Sequence, residues 1–332
     1  MRNVVVLALL GLLVSGDGLT PQARADEVQS LRLATLAPRG SGLGQAFRYL
    51  GEELRKRTDG KVELKMYFGG VAGDELTVVR KMRAGQLDGA LLTSHGLGAL
   101  VRQVLVLQAP GLIGSYPELD EVRDALAPEF SELFRKAGYE LITWGDSGRI
   151  RIFSQQKVQQ PSDLKRVRPW VWRGSPTMRA FVEAAGANGV SLALPEVYGA
   201  LQTGMVDTVI ASSIGVLGFQ WFTRLKTMSK QSGGIVVGAY VIRSDKLAAL
   251  PQAARDYIIQ SARDSASEFR QAGRKLDEDA YQALTKRLKG VNLWRYQQAW
   301  ESANLEARES LVGRLYSRAL LTRVQEILGK QR

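Results

Sequence analysis

With 332 residues, 45% of them hydrophobic and 23% charged, the chain is long enough to bury two cores and has the balance of a soluble globular protein. It contains no cysteine, which excludes disulfides, thiolate metal sites and a lipid anchor on a leader cysteine. The formal charge of +12 is dispersed along predicted helices with no basic block, so it reads as a solvated basic surface, and no nucleic acid partner is expected.

The chain opens with Arg2 and an apolar run, Val4–Val14, that is too short to span a bilayer. Ala23-Arg24-Ala25 then supplies a small-x-small cleavage pattern, so residues 1–25 read as a secretory signal peptide. The mature chain would begin near Asp26 and be exported to the periplasm. No later run is long enough for stable membrane insertion.

Leu31–Leu36 alternates apolar and polar residues and predicts a first strand. A turn through Arg39 and Ser41 leads to an amphipathic helix over Gln45–Thr58. Val62–Phe68 predicts a second strand. Gly40-Ser41-Gly42-Leu43-Gly44 lacks both the third glycine of a dinucleotide loop and the Gly-Lys-Thr of a P-loop. It reads instead as a strand-to-helix turn of the kind that meets ligands in α/β sheets. Further on, helix is predicted over Tyr116–Gly138 and strand over Tyr139–Trp144. A turn follows at Gly145–Gly148, then strands over Arg149–Ser154 and Val167–Trp172 and a helix over Thr177–Ala185. Beyond Ser213 the chain looks loop-like, with Phe219, Trp221 and Phe222. Ile235–Ile242 is strongly β-prone; a long helix is predicted over 252–287 and a last one over Ala299–Leu328. Strands alternating with helices of this length predict α/β lobes with largely parallel sheets.

Two stretches echo each other ~120 positions apart, Val78–Thr93 and Val197–Ser212. The pairs Gly85/Gly204, Leu87/Val206, Asp88/Asp207, Leu91/Ile210 and Thr93/Ser212 fall in register. Each reads as a helix, a glycine stop and a buried strand. One unit occurring twice predicts two similar lobes.

Chemistry-bearing residues are few. The single histidine, His95, follows Ser94, but neighbours in sequence rarely point at each other as a Ser–His pair must. One His and no Cys leave no metal cluster, and no cofactor is expected. The acidic run Asp277-Glu278-Asp279 reads as a solvated helix face. Trp170 and Trp172 flank Val171 on a strand and share a face, either as core or as the floor of a pocket. Arg149 and Arg151 share a face too, at the surface or as a fork for a carboxylate.

These pieces resemble the extracytoplasmic solute-binding subunit of TRAP-type (tripartite ATP-independent periplasmic) transporters, the DctP-like family. Ala37-Pro38 through Ser41, Thr58–Val62, Gly85–Asp88, Val158–Leu164 and above all Glu196–Asp207 (EVYGALQTGMVD) carry the resemblance. It implies a two-lobed periplasmic-binding-protein fold with a long late helix bracing both lobes. Lobe I would hold 26–148 plus 236–275, and lobe II 149–235 plus 276–332, with the helix near 252–287 shared. It implies no enzyme, but a receptor that closes on a small organic ligand and delivers it to the transporter's membrane subunits. The implied ligand-facing set is Arg39, Ser41, Ser94, His95, Arg151, Trp170, Trp172, Ser212, Ser213 and Trp221. The family's usual carboxylate-binding arginine aligns with Trp170, so a more apolar ligand, or an acid held differently, is expected. The alternatives are an ABC-type or sensor-linked receptor and, from another class, an exported hydrolase using Ser94 and His95.

Overall fold

The computed structural model describes residues 28–329; residues 1–25, read above as a signal peptide, lie outside them. The first part of the chain runs β1 (Gln29–Thr35), α1 (Gly42–Arg57), β2 (Val62–Tyr67), α2 (Glu75–Arg83), β3 (Gly89–Thr93), α3 (Ser94–Leu100), α4 (Tyr116–Lys136) and β4 (Tyr139–Ser154). The middle follows as β5 (Trp170–Trp172), α5 (Pro176–Ala184), β6 (Val190–Leu192), α6 (Val197–Thr203), β7 (Thr208–Ser212), α7 (Ser213–Gly218), β8 (Thr227–Ser229) and β9 (Gly234–Arg243). The last part comprises α8 (Ser244–Ala249), α9 (Gln252–Asp264), α10 (Ala266–Thr285), β10 (Lys289–Val291), α11 (Gln297–Ser310) and α12 (Arg318–Ile327).

Eight strands form one sheet in the order β10-β8-β4-β9-β3-β1-β2, with β7 also on β4; β5 and β6 pair separately. The pairs within each half (β1–β2, β1–β3, β8–β10, β5–β6) are parallel, as expected. The strands that join the halves are not: β9 runs antiparallel to β3 and β4, and β4 antiparallel to β7 and β8. The largely parallel expectation therefore holds only inside each half.

Strand β4 crosses between the halves. It pairs with β9 from Tyr139 through the bulge to Ile150, and its last part pairs with β7 from Ile150 to Ser154. The expected turn at Gly145–Gly148 is instead a bulge in one continuous strand, with the register slipping between Asp146 and Arg149. Gly148 absorbs the slip at φ +98°, where L residues are strained.

The repeated unit appears in both halves with the same internal bonding. Gly85 and Gly204 sit at φ +72° and +75°. Asp88 and Asp207 are both buried, and each accepts a backbone N–H, from Arg32 (2.8 Å) and Arg168 (2.7 Å). The same two arginines donate side-chain hydrogen bonds to Gly85 O and Gly204 O. Thr93 and Ser212 then cap α3 and α7. A carboxylate at the strand entrance thus locks the preceding turn, which explains why Gly-x-x-Asp recurs.

Three predicted elements are broken or formed differently. The long late helix is two, α9 and α10, interrupted at Ser265, whose Oγ donates to Ser261 O and so competes with the backbone ladder. The pair still braces the molecule: α9 packs on α1, and α10 lies along β4 and against α7. The last helix is also two, split at Gly313 (φ +78°), with Ser317 capping α12. The loop-like stretch after Ser213 contains α7 and a short 3-10 turn, Trp221–Arg224.

Separate cores fill the halves. Leu92, Leu97, Val122 and Phe130 pack in one, and Phe153, Trp170, Leu201 and Val209 in another. Ala307, Leu311 and Val324, from the segment assigned by sequence to the second lobe, pack into the first of these beside α4.

Candidate ligand cleft

A cavity of about 1820 Å³ opens where the two halves face each other, walled by β1–α1, α2 and β3–α3 on one side and by β5–α5 and β7–α7 on the other. That exceeds the ~300–1,000 Å³ of most small-molecule sites, because it continues out between α5, α10 and α11.

Its inner floor is aromatic. Trp170 and Trp172 both face it, while Val171 between them packs in the core on the other side of the strand. Trp170 is buried, donates Nε1–H to Leu192 O (3.0 Å), and meets Trp221 edge-on at 5.3 Å. Phe219 stacks on Trp221 at 5.4 Å. His95, from the opposite wall, stacks on Trp172 with centroids 4.2 Å apart and planes 23° from parallel. Burial pushes the His95 imidazole down to about 4, against the opposing pull of the Asp74 carboxylate. The ring is therefore neutral at pH 7.

Of the other expected contact residues, Ser41 lines the cleft as the cap of α1, accepting from Gly44 N (3.2 Å). Ser94 and Ser212 line it as well. Arg39 does not: it is exposed, its guanidinium lying 5.3 Å over Phe68, because the turn carries it away from the wall. Ser213 is fully buried behind the wall and accepts a hydrogen bond from Arg151 (3.4 Å). Ser94 and His95 serve different neighbours, since Ser94 Oγ donates to Gln108 Oε1 (2.5 Å) while His95 faces Trp172.

Arg151 lines the cleft but is already matched. Its Nη1 lies 3.6 Å from Asp277 Oδ2, and its guanidinium stacks over Tyr281 at 4.1 Å. Burial lowers the Arg151 pKa and raises that of Asp277, so desolvation outweighs their mutual attraction. Asp277 also accepts Arg149 N (2.8 Å) and Ile214 N (3.2 Å), tying α10 to the β4 bulge and to the start of α7. Reading Asp277 as part of a solvated face was wrong. With Ala280 and Leu284 it belongs to the buried stripe of α10, and its i, i+3, i+7 spacing was the missed signal.

Glu75 was also missed. It is buried in the cleft wall, where its carboxylate accepts Thr93 N, Thr93 Oγ1 and Gly96 N at 2.7–2.8 Å. Burial raises it to about 7, against those hydrogen bonds. At the hinge, Asp146 accepts from Arg123 on α4 and Arg274 on α10, and Asp120 accepts from both arginines.

Two lobes joined by crossing strands, with a cleft between them, define a periplasmic-binding-protein type of solute receptor. The chain belongs to the bacterial extracellular solute-binding protein family 7 (DctP), which it matches over residues 33–318. A Chromohalobacter salexigens solute-binding protein is 26% identical over 206 residues, 61% of this chain and 60% of that one. An uncharacterized Haemophilus influenzae protein is 25% identical over 83% of this chain and 84% of its own length. Among solved structures, the Bordetella pertussis receptor DctP7 with pyroglutamic acid superposes with a TM-score of 0.81 at 17% identity, covering 91% of this chain and all of that one. A Desulfovibrio salexigens TRAP receptor with orotic acid also gives 0.81, at 18% identity, covering 90% and 98%. The resemblance to TRAP solute-binding subunits and the two-lobed α/β class are both borne out. Among the described residues no helix is long and apolar enough to cross a membrane.

Proposed function

We propose that this chain is the exported, periplasmic receptor of a TRAP-type transporter, closing its lobes on a small organic solute and handing it to the membrane subunits. Lobe I is taken as 26–148 with 236–275, and lobe II as 149–235 with the segment from 276, apart from the terminal residues that pack on α4. The solved relatives carry pyroglutamate and orotate, both acids.

We infer a ligand that is more apolar than a simple carboxylate, or an acid stacked on indole rather than gripped by arginine. One observation carries this: three indoles and a neutral imidazole floor the cleft, while Arg151, the cation nearest the place of a family arginine, already has Asp277 as its counter-ion. Replacing a guanidinium by indole removes a charge-assisted contact worth ~1.5–3 kcal/mol and offers an apolar face instead.

The test is a thermal-shift panel of carboxylates (D-glucuronate, orotate, pyroglutamate) and neutral aromatic solutes, followed by calorimetry of wild type, Trp170→Arg and the less buried Trp172→Arg. Wild type should prefer the neutral aromatic solutes. Both variants should gain carboxylate affinity, by roughly 10-fold or more. Tighter binding of apolar solutes by the arginine variants than by wild type would overturn the reading.

A further inference from the structure

The His95–Trp172 stack joins two walls that belong to different lobes. His95 sits at the start of α3, after β3, whose neighbour Leu92 is in the first core; Trp172 ends β5, beside Trp170 of the second. Against the imidazole the second lobe places Trp172 itself and the Gly174 turn, where a Cβ would lie 3.9 Å from His95 Cε1. His95 Nε2 is buried without a hydrogen-bond partner, as is Trp172 Nε1. A proton gained at Nε2 would therefore have no hydrogen-bond acceptor in this arrangement. Stacked on a neighbour from the other lobe, the buried Nε2 gains water only when the ring leaves that surface.

We propose that this stack is an interlobe latch that only the neutral imidazole can make, so that the cleft closes with His95 unprotonated and opens as it takes up a proton. The inference rests on the cleft being the ligand site and adds a regulation to it. Its sign follows from the two environments. In the open form the exposed ring would titrate near its ordinary 6.5, and in the closed form near 4. A group depressed in the closed state favours closure fully above 6.5, and loses that contribution as pH falls toward 4. Between pH 7.5 and 5.0 the closed-to-open ratio should fall roughly 30-fold.

Other charges face the same site. These are Asp74, which caps α2, and Glu75 in its first turn, with Arg83 bonded to the far end of α3 at Ala99 O. Arg102 follows α3, and Arg173, beside Trp172, is paired with Glu196. Asp74 opposes the depression, and Glu75, raised to about 7, titrates in the same window. Glu75 must therefore be separated experimentally.

Histidine occurs once and cysteine not at all, so the tag-free mature chain gives one imidazole resonance and takes spin labels only where cysteines are placed. Labels at the exposed positions Lys56 on α1 and Met205 after α6 report the lobe separation by pulsed electron–electron resonance. We expect His95 to titrate below about 5 and the separation to widen on the same curve. His95→Phe, which stacks but does not titrate, should hold the ratio within 3-fold, while Glu75→Gln should keep the wild-type fall. A separation that ignores pH overturns the latch, as does a ring titrating at 6.5, or a His95→Phe response equal to wild type. The solute panel at pH 7.5 is independent: solute binding without a pH response leaves the receptor reading standing and removes the latch, whereas a pH response with no solute bound does the reverse.

Discussion

Asp277 is the side chain whose removal the structure makes most legible. Its carboxylate is the acceptor for two backbone N–H groups, Arg149 and Ile214, and the counter-ion of a buried guanidinium, Arg151. Both charged groups are almost wholly out of water, with side chains 3% and 6% exposed. Asp277→Ala leaves Arg151 buried and unpaired, which costs ~3–5 kcal/mol. Each orphaned N–H adds ~1–3 kcal/mol unless water reaches it. These terms overlap, so we expect a loss of about 4 kcal/mol or more. Burial shifts both partners toward their neutral forms, so the pair itself is held at a solvation cost. Arg151→Met/Asp277→Asn removes both charges and keeps an acceptor for the backbone, and should return to within ~1 kcal/mol of wild type. Urea unfolding followed by tryptophan emission measures all three proteins. The reasoning is refuted if Asp277→Ala lies within 1 kcal/mol of wild type, or if the double variant is no more stable than Asp277→Ala.

Gly148→Ala should cost ~3 kcal/mol, since φ is +98° and the new Cβ would lie 2.2 Å from Asp277 Oδ1. Gly138→Ala, at φ +87° with nothing within 4 Å, should show the backbone strain alone, ~1 kcal/mol, in the same melts. Glu75 has a folded value of about 7 against an ordinary 4.5, so its contribution is full below 4.5 and is lost as pH rises through 7. Glu75→Gln should remove a slope of at most ~1.4 kcal/mol per pH unit over that window, read as the difference between its urea midpoints and those of wild type; parallel curves would exclude it.

How much of this could be read from the residues alone divides along physical lines. The repeated unit was visible because its parts are local: a glycine at positive φ, an aspartate three residues on, an apolar strand. Trp170 and Trp172 could be placed on one face by alternation, and the structure puts both on the cleft floor. What escaped were features that exist only when distant segments meet. The β4 bulge looks like a turn because Gly145 and Gly148 are turn residues, and only pairing with β9 keeps the strand continuous. Asp277 looks solvated because its neighbours Glu278 and Asp279 are. Its partners lie 63 and 128 residues away. Arg39 was placed in the site by its turn, but its guanidinium has a nearer surface in Phe68.

The two copies of the unit also bear on what the cleft can hold. Each ends in a short helix beside the cleft whose first N–H groups need acceptors. In the first copy Gly96 N, at the start of α3, donates to Glu75 Oε2 at 2.7 Å. In the second copy Ile214 N, at the start of α7, donates to Asp277 Oδ1 at 3.2 Å. Both helix starts are thus filled by the protein's own carboxylates, one from α2 and one from α10. Arg151 shares the second of them. A ligand carboxylate would have to displace a buried, hydrogen-bonded acid at each of these places. Both helix starts thus serve to hold the protein's own frame.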